Sequence, residues 1–390
     1  MAENTVQKNL KHNFIVNIGD GGFFGFGVGF SSFTTVIPLF IATMTSSATL
    51  IGLIPAIHNM GWQLPQLLLA RRISRMSRIK PFVLAMTIQE RLPILGLAIV
   101  GLMLPKLGNT AALIISFILL IWQGLGSGFT ANAWQILISK VIPADILATF
   151  FGAQSAAANL LASVGALGAG FLLSKLQPPF DFASCFLITI ALYVISWFFL
   201  KMTREEPKII NPDETSLQPL WQDIKGILRS DHSFRNFLIS RFISQFGIMA
   251  FAIYTVFAVQ KLAINAILVG VMTSILMITQ VVMNPLLGRL SDKWSRKWVL
   301  VLGSLSAAGS AVLALLIRDL NWFSLVFILT GIAATAFWTI GITISLEFGN
   351  EEKRPTYVGM SNTLIAPSTI LAPFIGGLLA DAFGYSTTFI

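Results

Sequence analysis

Apolar runs of roughly twenty residues recur along the whole chain, and short polar loops separate them. A helical run of this length matches the ~30 Å hydrocarbon core of a lipid bilayer. Hydrophobic residues make up 55% of the 390 residues and charged residues 11%, whereas a soluble domain carries about 25% charged residues. Because such a chain cannot cover a water-facing surface, we predict an all-α polytopic membrane protein.

Eleven of the apolar runs are long enough to span a bilayer as helices. The predicted spans are 14–42, 48–70, 81–104, 111–139, 148–174, 182–201, 236–259, 264–288, 298–317, 322–346 and 357–380. A further apolar run begins at Phe383 and the sequence stops at Ile390. We therefore expect a twelfth helix that is incomplete in this chain.

The longest polar stretch, 202–235, separates the first six spans from the rest. Four apolar residues in it follow helical spacing and predict an amphipathic helix on the membrane surface, namely Trp221, Ile224, Ile227 and Leu228. The predicted organisation is an N-terminal six-helix bundle at 1–201, a cytoplasmic central loop at 202–235 and a C-terminal bundle at 236–390.

The distribution of Lys and Arg predicts the orientation of the chain. If the N-terminus is cytoplasmic, most of the 26 Lys and Arg lie in cytoplasmic segments. The basic residues on the opposite side are Lys106, Lys175, Lys261 and Arg318. Cytoplasmic loops of membrane proteins are enriched in Lys and Arg in this way. The net charge of +9 thus fits an anionic membrane face rather than nucleic acid, and we predict a multi-pass plasma or inner membrane protein.

Several classes of site are excluded by residue counts. Cys185 is the single cysteine and the chain has three His without ligand spacing, so neither a disulfide framework nor a metal site is expected. No nucleophile with a nearby base lines an inner face, so we do not expect an enzyme. No ATP-binding motif and no cofactor motif is present, so an ion or substrate gradient would drive any transport. We expect a monomer.

An internal repeat relates the two halves of the chain. A shift of 218 residues places Gly52 on Gly270 and Arg78 on Arg296, and a shift of 207 places Gly152 on Gly359. Two parallel six-helix repeats are a transporter architecture, in which the substrate site lies between the halves near the bilayer midplane.

One loop carries a family signature. The residues that match it are Gly288, Asp292, Lys293, Arg296 and Lys297, in the order Gly-Arg-Leu-Ser-Asp-Lys-Trp-Ser-Arg-Lys. This loop resembles the signature loop of the major facilitator superfamily, Gly-x-Leu-Ala-Asp-Arg-x-Gly-Arg-Arg/Lys. The first-half copy keeps its basic residues but has Ala70 at the glycine position and Ser74 at the aspartate position.

The resemblance implies a major facilitator fold of two pseudo-symmetric six-helix bundles and secondary transport of a small organic solute by alternating access. Proton coupling and the direction of transport stay open. Two patterns of proton-driven drug exporters are missing: Gln123 stands ahead of the glycine-rich run of helix 4 in place of Arg, and helix 5 lacks a Gly-Pro pair. The alternative is a non-transporting sensor with the same fold.

Four charged residues stand out inside the predicted spans, where charges are costly and mark functional sites. Asp20 in helix 1 and Arg241 in helix 7 would face the central cavity from opposite halves, as a pair or as substrate contacts. Alternatively each pairs within its own half. Glu90 and Arg91 in helix 3 favour a buried structural network that Asp20 would join, and proton coupling through Glu90 or Asp20 is the competing hypothesis.

The other candidates are polar or aromatic residues of helices 4 and 10. An aromatic wall with a few amides would suit a moderately polar substrate; its candidate residues are Gln123, Asn132, Gln135 and Trp338. Interhelical hydrogen bonding is the alternative role of the amides. Lys140 and Glu347 occupy equivalent positions under the 207 shift and predict a cytoplasmic gate, or simply two solvated helix ends. Gly21, Gly25 and Gly29 recur every four residues and predict close packing of helix 1.

Overall fold

The computed structural model describes residues 2–33, 35–208, 220–247, 250, 254, 266–316 and 320–384. Helices dominate these residues, and no strand occurs among them. The predicted all-α class is confirmed, and the end of the predicted span 236–259 and the start of a twelfth helix lie outside the described residues.

The helices follow the predicted spans closely. Those of the first half are α1 (Ala2–Phe30), α2 (Val36–Ala42), α3 (Ala48–Gln63), α4 (Gln66–Ser74), α5 (Lys80–Leu107), α6 (Asn109–Val141), α7 (Leu147–Lys175) and α8 (Phe180–Lys201). Those that follow are α9 (Leu220–Ser230), α10 (His232–Gly247), α11 (Ala266–Lys293), α12 (Arg296–Leu316), α13 (Leu320–Thr335), α14 (Gly341–Ser345), α15 (Arg354–Thr363) and α16 (Ala366–Phe383). A π-helical segment, Ala336–Ile340, joins α13 to α14.

Three predicted spans are interrupted rather than continuous. The first is broken between α1 and α2, the second between α3 and α4, and the eleventh between α15 and α16. The second break lies at Pro65, which has no N–H to continue the hydrogen-bond ladder. Helix α1 also begins at Ala2 rather than near residue 14, because its polar first residues continue the helix beyond the apolar run.

Six helices within the described ranges are long and apolar enough to cross a membrane. They are Lys80–Leu107, Asn109–Val141, Leu147–Lys175, Phe180–Lys201, Arg296–Leu316 and Trp322–Ser345. In the polar stretch between the halves, α9 buries Ile224 and Ile227 and leaves Trp221 69% exposed. This amphipathic pattern is what the spacing of its apolar residues predicts.

The helices form two compact units, and neither unit is a continuous stretch of chain. Unit 1 consists of Met1–Pro143, Ala157–Leu217 and Gly349–Thr363, and unit 2 of Ala144–Ala156, Gln218–Phe348 and Leu364–Ile390. The first turns of α7 therefore belong to unit 2, and α15 belongs to unit 1. Each unit includes one segment from the other half of the sequence, and the boundaries 1–201 and 236–390 remain a prediction.

In unit 1, helix α1 packs closely against α7 through two of the predicted glycines. A methyl group on Gly25 would lie 2.6 Å from Ala158 Cα, and one on Gly29 would lie 2.8 Å from backbone atoms of Gly165 and Ala166. Both distances are too short for real carbon contacts, so only glycine permits this approach. On its α8-facing side, α1 stacks Phe24 on Tyr193 with ring centroids 4.8 Å apart.

In unit 2, the core joins α11, α12 and the π-helical segment. Leu287, Val299, Ala336 and Ile340 are buried together, and Ala148 from the start of α7 packs among them. A methyl group on Gly288 would meet the backbone of Ala148. The glycine of the signature loop thus allows α11 to contact the first turn of α7.

We predict that Gly29→Ala destabilises unit 1, because its methyl group would overlap the α7 backbone. Overpacking of this kind typically costs ~1–3 kcal/mol, which should lower the thermal unfolding midpoint of the purified protein in detergent. Gly170→Ala is the matched control on α7, since a methyl group there meets no atom within 4 Å. Equal midpoints for the two variants would show that α1 and α7 do not pack as described.

Candidate functional site

A buried polar network connects three helices of unit 1. Ser196 Oγ of α8 donates a hydrogen bond to Asp20 Oδ1 of α1 over 2.6 Å, and Arg91 Nη2 of α5 donates to the same hydroxyl over 3.0 Å. Arg91 Nη2 also lies 3.8 Å from Asp20 Oδ1. All three side chains are buried. The geometry matches the sequence-based alternative in which Asp20 joins the Arg91 network.

Glu90 extends the network toward α6. Its side chain is 6% exposed and hydrogen-bonds Ser127, while the guanidinium of the adjacent Arg91 lies 5.8 Å from the centroid of the Tyr193 ring. Arg91 Nε and Nη1 are buried without a hydrogen-bond partner among the described residues. The network therefore holds two carboxyl groups and one guanidinium away from water, with unused donor capacity on the guanidinium.

The predicted amides of α6 serve different roles. Gln123 Oε1 lies 3.1 Å from His58 Nδ1 of α3, and Phe33 stacks on the His58 ring with centroids 3.9 Å apart. Gln135 is 1% exposed, and its Oε1 has no hydrogen-bond partner among the described residues. Sequence reasoning missed His58, whose pairing depends on a contact between distant spans.

Asn132 of α6 makes hydrogen bonds to two other helices of unit 1. Its Nδ2 donates to the backbone oxygens of Gln66 in α4 and Pro355 in α15, each over 2.9 Å. A second amide bridge lies beside it, in which Asn362 Nδ2 donates to Gln66 Oε1 over 2.7 Å. These bonds fasten α15 to α4 and α6, and a role of Asn132 in substrate binding remains a prediction.

In unit 2, Arg241 of α10 lies close to Gly341, which directly follows the π-helical segment Ala336–Ile340. Its guanidinium is 5.8 Å from the centroid of the Phe237 ring, and a methyl group on Gly341 would lie 3.7 Å from its Cζ. Within that segment, Thr339 Oγ1 donates to Asn284 Oδ1 over 2.6 Å. Trp338 of the same segment is 54% exposed. Such π-helical insertions are frequent at functional sites.

The signature aspartate caps a helix that is remote in sequence. Asp292 of α11 accepts hydrogen bonds from the backbone N–H groups of Ala148, over 3.2 Å, and Thr149, over 2.6 Å. The first N–H groups of a helix lack partners within the helix and carry its positive dipole end, so a carboxylate there is stabilising. This interaction fixes the start of α7 on unit 2.

The signature arginine completes the cluster around Asp292. Arg296 donates to Asp292 Oδ1 over 3.3 Å, to the backbone oxygen of Ala144 over 2.5 Å and to Glu347. Lys293 and Lys297 are exposed. Glu347, one of the two predicted gate residues, thus has its ion-pair partner within unit 2.

Lys140, the other predicted gate residue, pairs with Glu205 in unit 1. Lys140 Nζ lies 2.8 Å from Glu205 Oε1, and the carboxylate also accepts from the backbone N–H groups of Ile79, over 2.7 Å, and Lys80, over 2.8 Å. Glu205 therefore caps the start of α5. Sequence reasoning missed this residue, although an acidic pair directly after span 6 was the available signal. The gate between Lys140 and Glu347 remains a prediction.

We predict strong coupling between Asp20 and Arg91. Asp20→Asn removes the carboxylate that is linked to the buried guanidinium through Ser196. Breaking a buried ion pair typically costs ~3–5 kcal/mol, and Arg91→Gln should restore part of that loss in the double variant. The free energy of unfolding in mixed micelles measures each step of the cycle. Asp145→Asn is the control, because Asp145 lies in an exposed loop. Additive effects of the two network variants would contradict the described contact.

We also predict that Asp292→Ala frays the start of α7. Loss of a cap typically costs ~0.5–2 kcal/mol, and hydrogen exchange at the amides of Ala148 and Thr149 should accelerate. Ser74→Ala, at the equivalent position of the first repeat, should leave these amides unchanged. Unaltered exchange in the Asp292 variant would argue against the capping role.

Comparison with known proteins finds similarity to one protein family. The family model of the Major Facilitator Superfamily matches residues 237–390. The MFS-type transporter SLC18B1 of Mus musculus is 25% identical over 289 residues, which cover 69% of this chain and 60% of that protein. Multidrug resistance protein 1 of Bacillus subtilis is 30% identical over 145 residues, which cover 37% of each protein. The chain thus spans less than two thirds of the length of each of these relatives.

Solved structures agree on the fold over nearly the whole chain. The major facilitator transporter FucP, crystallised in the outward conformation, superposes with a TM-score of 0.75 at 12% identity, covering 96% of this chain and 94% of its own. The human organic anion transporter MFSD10 superposes with a TM-score of 0.69 at 14% identity, covering 96% and 95%. The C-terminal part of the chain thus matches the family model of the Major Facilitator Superfamily, and the chain as a whole resembles solved transporters of that superfamily in its fold.

Proposed function

We propose that this protein is a secondary transporter that moves a small organic solute across a membrane by alternating access. The buried Asp20–Ser196–Arg91 network supports the proposal most directly. Ionisable groups inside membrane helices are expensive and are retained where an ion or solute pathway needs them. Similarity to transporters of the major facilitator superfamily supports the same function and disfavours an enzyme.

The same network supports proton coupling through Asp20 or Glu90. Both carboxyl groups are buried and share Arg91 as their nearby cation. A proton taken up by either group would weaken its attraction to Arg91 and change how α1, α5 and α8 hold together. This is the kind of charge change that can bias a protein between two conformations.

The substrate class follows from the polar groups that each unit presents by itself. Unit 1 contributes the His58–Gln123 pair and Gln135, and unit 2 contributes Arg241 and the exposed Trp338. Amides, an aromatic ring and a single cation suit a moderately polar organic compound. Relatives named as multidrug resistance and efflux proteins support organic compounds as the first class to test, although Gln123 departs from the pattern of proton-driven drug exporters.

The distribution of basic residues supports the proposed orientation. Lys and Arg concentrate in the segments that would face the cytoplasm if the N-terminus is cytoplasmic. We propose that the protein is a monomer in the plasma or inner membrane. Its transported species would be an organic compound and protons.

The proposal is tested by flux through purified protein reconstituted in lipid vesicles. We expect at least one compound of an organic panel to accumulate or leave faster than in empty vesicles when a pH gradient is imposed, and the flux to collapse when the gradient is dissipated. Binding of a compound without flux in either direction would favour the sensor alternative.

Proton coupling predicts a specific phenotype for Glu90→Gln and Asp20→Asn. At least one of the two variants should lose the pH-driven component of flux while retaining downhill exchange of the same compound. Glu206→Gln is the control, because it makes the same chemical change at an exposed residue. If both network variants keep pH-driven flux at the control level, neither carboxyl group carries the coupled proton.

A further inference from the structure

A small cavity lies in unit 1 at the ends of the helices that carry the basic loop 71–80. Its volume is about 110 Å³, several times the room that one water molecule needs. Polar and charged side chains line it from four segments of the chain, and they are Ser74, Ser139, Lys140, Lys208, Glu351 and Arg354. The lining thus brings three cations and one carboxylate to one cavity.

The equivalent cluster in the second repeat has a different balance of charges. In the second repeat, Asp292 and Glu347 surround Arg296 with two carboxylates. Under the 218 and 207 shifts, the equivalent positions in the first repeat hold Ser74 and Lys140. Both acids of the cluster are therefore lost in the first repeat, and one of them is replaced by a cation.

Helix α15 starts at Arg354, which lines the cavity together with Ser74, and this helix does not need a carboxylate cap. The backbone N–H of Arg354 donates to Asn350 O over 2.9 Å, Pro355 has no N–H, and the N–H groups of Thr356 and Tyr357 donate to Lys353 O over 2.9 and 3.0 Å. The start of α15 is thus satisfied locally, unlike the start of α7. The absence of an aspartate at position 74 therefore matters for the charge of the cavity rather than for the start of α15.

The carboxylates near the cavity compensate this charge only in part. The Glu205 carboxylate is held by two backbone N–H groups as well as by Lys140. Glu351 pairs with Lys208 over 3.3 Å, but its side chain is 67% exposed, and exposed pairs are weak. Arg354 Nε is buried without a hydrogen-bond partner among the described residues. Burial lowers the pKa of Arg354, and Glu351 offsets part of this effect.

We propose that this cavity binds a phosphate group, held by Arg354 and Lys208 and positioned beside Ser74 and Lys140, in the place where the second repeat uses its own carboxylates. Arg presents several N–H donors in a planar fork that suits phosphate oxygens, and Lys adds a mobile point charge. The phosphate comes either from free inorganic phosphate or from the headgroup of an anionic phospholipid. Occupation would fasten α15 to α4 and α6 through a bound anion.

The experiment measures the thermal unfolding midpoint of the full chain, purified in detergent and stripped of lipid, during a titration with inorganic phosphate. Sodium chloride at matched ionic strength is the reference. We expect phosphate to raise the midpoint of the wild type, because a ligand that binds the folded state stabilises it. A parallel arm compares nanodiscs of phosphatidylcholine alone with nanodiscs that also contain phosphatidylglycerol.

Three variants make the test specific. Arg354→Gln should weaken the apparent phosphate affinity by about tenfold, because it removes charge-assisted hydrogen bonds. Ser74→Asp places a carboxylate in the cavity, as in the second repeat, and should abolish the phosphate response even if the protein itself becomes more stable. Arg78→Gln is the charge-matched control at an exposed residue of the same loop and should respond as the wild type does.

Each outcome has one meaning. If the wild type responds to inorganic phosphate, and Ser74→Asp abolishes the response while Arg354→Gln weakens it, the site binds a free anion. If the response is confined to phosphatidylglycerol nanodiscs and the variants behave in the same way, the site binds a lipid headgroup. The proposal is overturned if neither phosphate source shifts the midpoint, or if Ser74→Asp responds as strongly as the wild type. These readouts involve no transport, so they stand apart from the test of the proposed function.

Discussion

A charge inside a membrane helix has to find its partner on another helix, because no water is available there and the isolated charge is expensive. In this protein Asp20, Ser196 and Arg91 come from α1, α8 and α5, so satisfying one carboxylate determines how three helices are arranged. The same rule operates at the helix ends. Glu205 caps α5 and Asp292 caps α7, and each carboxylate comes from a part of the chain remote from the helix it caps.

Much of the architecture could be predicted from the sequence because bilayer thickness is a simple constraint. The spans 81–104, 111–139, 148–174 and 182–201 differ from α5 to α8 by only a few residues at each end. The breaks within spans 1, 2 and 11 were not predicted, since an apolar run looks the same whether or not the helix is interrupted. At Pro65 the missing N–H is a local indication of a helix break, but a prediction based on hydropathy alone does not use it.

The sequence indicates which residues belong to the candidate sites, but it does not indicate which residues they contact. Asp20, Glu90, Arg91 and Arg241 stand out by being charged within apolar runs, and any reader of the sequence would select them. The hydrogen-bond partners of Asp20 and Glu90 are Ser196 and Ser127, which are ordinary residues of membrane helices. Glu205 was overlooked for a related reason, because a carboxylate just outside a span is normally solvated, whereas here its side chain is 1% exposed.

The discontinuity of the two compact units has a consequence for how the protein is made. Unit 1 includes α15, and two hydrogen bonds hold α15 there: Asn132 donates to the backbone oxygen of Pro355, and Asn362 donates to Gln66. During synthesis the ribosome delivers residues 1–217 long before residue 363, so unit 1 must wait in the membrane with the backbone and amide partners of α15 unsatisfied. The last step in building the first unit therefore belongs to the second half of the chain.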